Sequence, residues 1–338
     1  MKNTKIAWAH HTFNAWRGCD QVSPACDNCY AMTMAKRNPA VLGVWGAHGT
    51  RIIAEPNQWL EVMRWNAAAA WRGVRERVFV NSMSDTFEEW HGIPTFTNGA
   101  HARPLGGATW GTDGVLPFVK APLGSIEKGA TLGDVRDWLM WLVFVCQNLD
   151  FLFLTKRVSH MSTFMAHFYT GDVDIMPGTN CLPNLWLGAT VEDNAAKARI
   201  AVLRDIPAAV HYVSAEPMIQ SLWRLNLKGI DWVICGGESA KGSHEDGSRK
   251  LRPMKAVWAK DLRDDCKLQD VAFFFKQWGN ALPVDQRASL SPQIAWRTLE
   301  PVCIDKSEYF VLPNKDDTGR LLDGVEHLAI PHYDEVPA

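Results

Sequence analysis

Short runs of contiguous apolar residues recur along the chain, separated by stretches in which apolar positions return every three or four residues. Val78-Phe-Val-Asn-Ser82 is the first distinct run. Phe151–Thr155, Leu185–Thr190, Val210–Ala215, Asp231–Cys235 and Val271–Phe275 follow it, and a short strand near Thr12–Asn14 leads into the cysteine-bearing segment. Runs that stay apolar at successive positions mark strands buried on both faces, the pattern of a parallel sheet. Between them, helices are predicted over Trp59–Arg72, Asp134–Leu149, Arg157–His167, Asp193–Arg204 and Met254–Leu268. Cap-forming Glu192-Asp193-Asn194 opens the fourth, Pro207 lies beyond its end, and Pro253 precedes the fifth. Strands alternating with helices in this way predict an α/β fold: a partial or complete parallel (β/α) barrel, or an open doubly wound sheet.

The same pattern places polar residues at the C-terminal ends of the strands. Ser82, Ser84 and Asp85 follow the first run, Lys156 and Arg157 the next, then Thr190 and Glu192, Ser214 and Glu216. Gly236, Gly237 and Glu238 follow the fifth, and Lys276 and Gln277 end the last. One charged strand end is usually a solvated turn or a helix cap. Six in succession point to a shared functional rim, because the βα loops of a parallel barrel converge on that edge.

Two segments break the rhythm. Residues 91–131 are rich in Gly, Pro, Thr and Ala and read as a long loop or insertion. Residues 281–338 are polar and proline-punctuated, and read as a C-terminal extension packed on a barrel formed by residues 1–280.

Composition narrows the function classes. The 338 residues carry 35 basic and 37 acidic side chains, so no global attraction to nucleic acid follows, although local basic clusters such as Arg249–Arg252 and Arg72–Arg77 remain. Sixteen tryptophans are mainly expected in the core and pocket walls. The start of the chain lacks the apolar stretch of a signal peptide, and the longest apolar run, Trp138 to Cys146, is too short to span a bilayer. A cytoplasmic, reduced protein without membrane contact is expected, so the eight cysteines are not read as a disulfide framework.

Three of them form the main chemical signal. Cys19, Cys26 and Cys29 are spaced C-x6-C-x2-C, one ligand short of a closed four-coordinate site. Three thiolates on a 4Fe–4S cluster leave one iron open to a substrate or cofactor. The alternatives are a zinc site completed by His10 or His11, and plain buried thiols.

The stretch Ile6-Ala-Trp8 through Thr12-Phe-Asn14, Gly18-Cys19, Val22-Ser-Pro24 and Cys26-Asp-Asn-Cys29-Tyr-Ala31 resembles the start of a bacteriophage and prophage family named for its three-cysteine motif. Leu154–Arg157, Ser214–Pro217, Gly236–Ser239, Arg252-Pro253 and Phe273–Gly279 extend the resemblance over residues 4–280. That family looks like an outlying branch of the radical S-adenosylmethionine (SAM) superfamily, and its Cys-Tyr-Ala ending is similar to spore photoproduct lyase. The cysteine spacing is wider than the superfamily's usual x3-x2. The resemblance implies a radical SAM-type partial barrel, a 4Fe–4S cluster on Cys19, Cys26 and Cys29, and SAM on the open iron.

It further implies that Ser82, Ser84 and Asp85 meet the methionine end of SAM, with Thr190, Glu192, Ser214, Glu216 and Glu238 on the same cofactor rim. Gly236 and Gly237 are expected to let backbone approach the ligand. Lys156, Arg157, Lys276 and Gln277 are expected to receive an anionic substrate. The expected function is SAM cleavage that starts radical chemistry on a nucleotide, DNA or RNA, fed by a donor such as flavodoxin or ferredoxin. The rival expectations are a zinc- or cluster-containing nucleic-acid module and a scaffold for a phage-encoded partner protein.

Overall fold

A computed structural model of the chain describes residues 1–104, 116–122, 129–170, 181–239, 251–292, 294, 300–303, 308–313 and 315–331. Its centre is a seven-stranded parallel sheet: β1 (His11–Phe13), β2 (Glu76–Val80), β3 (Leu149–Thr155), β4 (Leu185–Thr190), β5 (Val210–Ala215), β6 (Trp232–Gly236) and β7 (Ala272–Gln277). The strands lie side by side in chain order. That order, with helices between successive strands except between β5 and β6, is compatible with a partial (β/α) barrel. All seven predicted strands are present, each within two residues of its expected start. Among the described residues no helix is long and apolar enough to cross a membrane.

The chain divides into two compact units, and β4 is shared between them. The first comprises residues 1–22, 31–187 and 207–209. In it, α1 (Tyr30–Arg37), whose start at Tyr30 belongs to the other unit, follows the cysteine segment; the sequence pattern had not marked this helix. Helix α2 (Pro56–Arg72) begins with proline in its first turn and buries the stripe Trp59, Val62, Trp65 and Ala69. Helix α3 (Leu132–Val145) starts two residues before the expected position, because Thr131 and Asp134 cap it reciprocally: Thr131 Oγ1 accepts from the Asp134 amide at 3.1 Å and Asp134 Oδ2 from the Thr131 amide at 2.7 Å. It also stops short of Leu149. Asn184 donates to the carbonyls of Val143 (2.8 Å), Cys146 (3.2 Å) and Leu149 (3.1 Å), closing the helix and turning the chain into β3. Cys146 is therefore the buried residue just past the helix end. Helix α4 (Val158–Thr170) follows β3.

Residues 91–131 are more ordered at their described ends than a loop. His101–Pro104 and Phe118–Ala121 form an antiparallel ribbon, and the rest of that expectation, residues 105–115 and 123–128, lies outside the described residues. Phe118 anchors the ribbon: it is buried, stacks on Trp138 at 4.2 Å and meets Trp59 edge-on at 5.6 Å. One apolar ring every several residues shows no period, which hid the strand.

The second unit comprises residues 23–30, 188–206 and 210–338. The helix predicted from Asp193 is a 3-10 turn, Ala195–Lys197, running into α5 (Ala198–Arg204), with Asp193 Oδ1 accepting from the Ala196 amide at 2.9 Å. Helix α6 (Ala256–Leu268) precedes β7. Beyond residue 280, Leu282–Pro283, Val302–Cys303 and Tyr309–Val311 form a small antiparallel sheet, and Leu321–Leu322 pairs with Val325–Glu326. This extension is tied to the strands of its own unit: the Phe275 amide donates to His327 O at 2.8 Å, and the Trp278 indole to Leu321 O at 3.0 Å.

Candidate functional site

None of the eight cysteines is in a disulfide, and Cys19, Cys26 and Cys29 are all half-buried. In the first unit, Cys19 lies beside a buried chain of alternating charges at the ends of β2 and β3. Asp85 accepts from Thr155 Oγ1 (2.7 Å) and the Phe87 amide (3.0 Å) through Oδ1, and from the Lys156 amide (3.2 Å) and Arg157 Nη1 (3.0 Å) through Oδ2. Arg157 then donates to Asp20 O at 2.9 Å, with Nη1 3.7 Å from Cys19 Sγ. Glu88 accepts from the Asp20 amide at 2.8 Å and from Arg51 at 2.6 and 2.7 Å. Both charges of the Arg51–Glu88 pair are inside the protein, with side chains 0% and 2% exposed. The backbone immediately after Cys19 is thus clamped by one carboxylate and one guanidinium. Burial, reinforced by Asp85 and Glu88 and opposed by Arg157, pushes the Cys19 thiol up to about 12.

In the second unit, Cys26 ends a 3-10 turn over Pro24–Cys26, and the Cys29 amide donates to Cys26 O at 3.1 Å. Glu238, buried at the end of β6, accepts from Asn28 Nδ2 at 2.8 Å and from Arg252 through both carboxylate oxygens. Arg252 also donates to Pro24 O at 2.9 Å and to Asp27 at 3.2 Å. A buried carboxylate and an arginine therefore hold this part of the cysteine segment as well.

The remaining rim residues are held within the protein. Ser82 donates to Asn14 Oδ1 (3.2 Å) and Ser84 to Trp16 O (2.8 Å). Lys276 donates to both oxygens of Glu216 at 2.8 Å, and Gln277 bridges Glu216 (3.3 Å) and Gly237 O (2.8 Å). Arg199 donates at 2.6 Å to both Thr190 O and Glu192 Oε2, while the buried Glu192 Oε1 has no partner among the described residues. Ser214 is buried beside them in β5, and its carbonyl accepts from the Val191 amide at 2.9 Å. Arg157 and Lys276, expected to receive an anion, are instead bound to carboxylates of this chain. Arg249 and Lys250 lie outside the described residues.

Gly236 and Gly237 have a different use from the one expected. A Cβ on Gly236 would come within 3.2 Å of the Glu216 carboxyl group, and one on Gly237 within 2.1 Å of Trp278 O. The Glu216 side chain takes the space at Gly236, and the Trp278 backbone takes it at Gly237. Reciprocally, a Cβ on Gly279, at φ +81°, would meet Glu238 O at 2.2 Å. Gly237→Ala is therefore expected to destabilise the protein by at least about 1–3 kcal/mol, the usual range for forced overpacking, read from the urea unfolding midpoint. An unchanged midpoint would refute the close crossing.

Among the described residues no group of three or more His, Cys, Asp or Glu is arranged to hold a metal ion. The histidines proposed for zinc are engaged elsewhere. His11 stacks on Trp65 at 4.3 Å with Nε2 3.0 Å from Glu76, and His10 Nδ1 accepts from the Arg77 amide at 2.8 Å. Three thiols outside any disulfide, on a segment held by Glu88, Arg157, Glu238 and Arg252, are the kind of donor set an iron–sulfur cluster takes.

A family profile described as protein of unknown function (DUF5131) matches residues 3–96 and 133–331. The chain belongs to the DUF5131 family. The unmatched interval, 97–132, covers almost all of the segment read as an insertion, while every cysteine and charged residue described above lies within the DUF5131 match. No curated protein and no solved structure matches the chain. Sequence reasoning missed Arg51, Glu88, Asn28 and Arg199. Each is a single polar residue without period, and the partners of Arg51 and Asn28 lie 37 and 210 positions away.

Proposed function

We propose that this DUF5131 chain is a radical SAM enzyme acting on a nucleotide or nucleic-acid substrate in the cytoplasm, with an electron donor of the flavodoxin or ferredoxin kind. The observation that carries the reading is the C-x6-C-x2-C segment, held after Cys19 by Glu88 and Arg157 and around Cys26 by Glu238 and Arg252. Cys19, Cys26 and Cys29 would hold the cluster, which when bound supplies an iron for SAM to chelate and the electron that cleaves it.

The chain's own residues do the positioning. Arg157, 3.7 Å from Cys19 Sγ, places an N–H and a positive charge at a sulfur that must act as thiolate. Glu88 and Asp85 fix that guanidinium. The unpartnered oxygen of Glu192 accepts from a ribose or substrate hydroxyl, and burial around it excludes competing water.

The test is SAM turnover. Reconstituted protein given SAM and dithionite, without substrate, is expected to release 5′-deoxyadenosine slowly, and Cys26→Ala to release none. A fully loaded, SAM-binding protein that yields none with several reductants and candidate substrates would overturn the reading in favour of a scaffold or binding module.

A further inference from the structure

We propose that Trp223 and Arg224 form a stacking platform for single-stranded nucleic acid. The inference deepens the reading above by choosing among its substrate classes, and it rests on that reading only in treating the bound strand as substrate.

Trp223 is 57% exposed in the segment between β5 and β6. Single exposed apolar residues are common and need no explanation. This one differs in what lies against it: the Arg224 guanidinium sits over the indole ring at 4.2 Å. Arg224 adopts a left-handed backbone conformation, φ +56°, uncommon for a residue other than glycine. Among the described residues it forms no ion pair, so its charge is available. The contrast is Trp71, still more exposed at 88%, whose neighbours Arg72 and Arg75 are neutralised by Glu76 and Asp150.

The platform is fixed beside the rim of its own unit. The Ile219 amide donates to Glu192 O at 3.0 Å, Gln220 Oε1 accepts from Asn194 Nδ2 at 3.2 Å, and Lys197 Nζ donates to Trp223 O at 3.1 Å. These ties fix the segment carrying Trp223 against the residues that follow β4.

Local charge agrees. Arg224 and Lys228 are exposed and in no ion pair among the described residues, whereas Arg199 is held by Glu192 and Arg204 lies beside Asp205. An aromatic face with an attached guanidinium, and with Lys228 exposed on the same segment, is suited to a base stacked on the ring and phosphates on the cations. An acidic protein would use the cations but not the planar face. A duplex would keep its bases out of reach.

The test measures fluorescence anisotropy of a labelled oligothymidylate of about 12 nucleotides, within the footprint of such platforms. It uses the full chain, before and after iron–sulfide reconstitution. Binding is expected at low salt. Trp223→Ala should weaken it about tenfold, with Trp223→Phe retaining most of the affinity. Arg224→Gln should make the log–log salt dependence shallower by about one. Both side chains are exposed, so the fold should survive, which circular dichroism checks. No binding by the unaltered protein, equal binding by Trp223→Ala, or equal affinity for a poly-glutamate of matched charge would each overturn the proposal, the last in favour of an acidic protein partner. The measurement needs neither SAM nor turnover. A chain that binds the strand yet never cleaves SAM therefore defeats the enzyme reading alone, and one that cleaves SAM without binding the strand defeats the platform alone.

Discussion

Anaerobically reconstituted protein is expected to hold about four irons and as many sulfides per chain, the content of one 4Fe–4S cluster. Replacing Cys19, Cys26 or Cys29 with Ala should each remove most of that iron and its broad brown absorbance. Cys146→Ala should remove none, since that thiol lies buried beyond the end of α3 and away from any charged neighbour that would favour its ionisation. The contrast depends on chemistry, not on burial: Cys19 is as hard to ionise as Cys146, yet only Cys19 has a guanidinium beside its sulfur. Stoichiometric zinc with negligible iron would reverse the assignment. His10 and His11, the expected completing ligands for zinc, already serve backbone and carboxylate partners.

The largest effect on stability is expected from Arg51→Met. Its side chain is fully enclosed, donates twice to Glu88 and also contacts Thr50 O at 3.1 Å. Removing one member of a buried ion pair strands the other without solvent, a loss of about 3–5 kcal/mol. A second change, Glu88→Leu, should restore part of it by removing the stranded charge. By contrast, Lys260→Ala breaks pairs with Asp285 and Asp323 on an exposed surface and should change stability by about 1 kcal/mol or less. Urea unfolding of the three variants gives the comparison. An Arg51→Met protein as stable as Lys260→Ala would show that the buried cluster does not hold the cysteine segment.

Most of the strands were legible because each carries a run of successive apolar residues, as burial on both faces of a parallel sheet favours. Helix ends were less so. The start of α3 depends on a Thr131–Asp134 cap and its end on Asn184, which lies nearly forty residues further on and leaves no mark in the helix itself. The Phe118 ribbon and the small C-terminal sheets are two- to four-residue strands, too short to show a period. At the rim, the positions of Asp85, Glu216 and Glu238 could be read from the strand ends, but their partners could not. Whether a charged side chain faces solvent or another charge is decided by residues distant in sequence, as Asn28 and Glu238 demonstrate.

The crossing of Gly237 and Gly279 has a consequence for descent. Each glycine leaves the volume in which the other's neighbouring carbonyl sits, so neither position can drift while the other stays. Gly-Gly-Glu-Ser at 236–239 and Lys-Gln-Trp-Gly at 276–279 are then a single heritable trait written in two places. Glu238, which holds Asn28 and Arg252, and Lys276, which holds Glu216, travel with it. A lineage that loses either glycine should have lost both charged partnerships, and a recombinant that takes the two tetrapeptides from differently built parents should fail to fold around them.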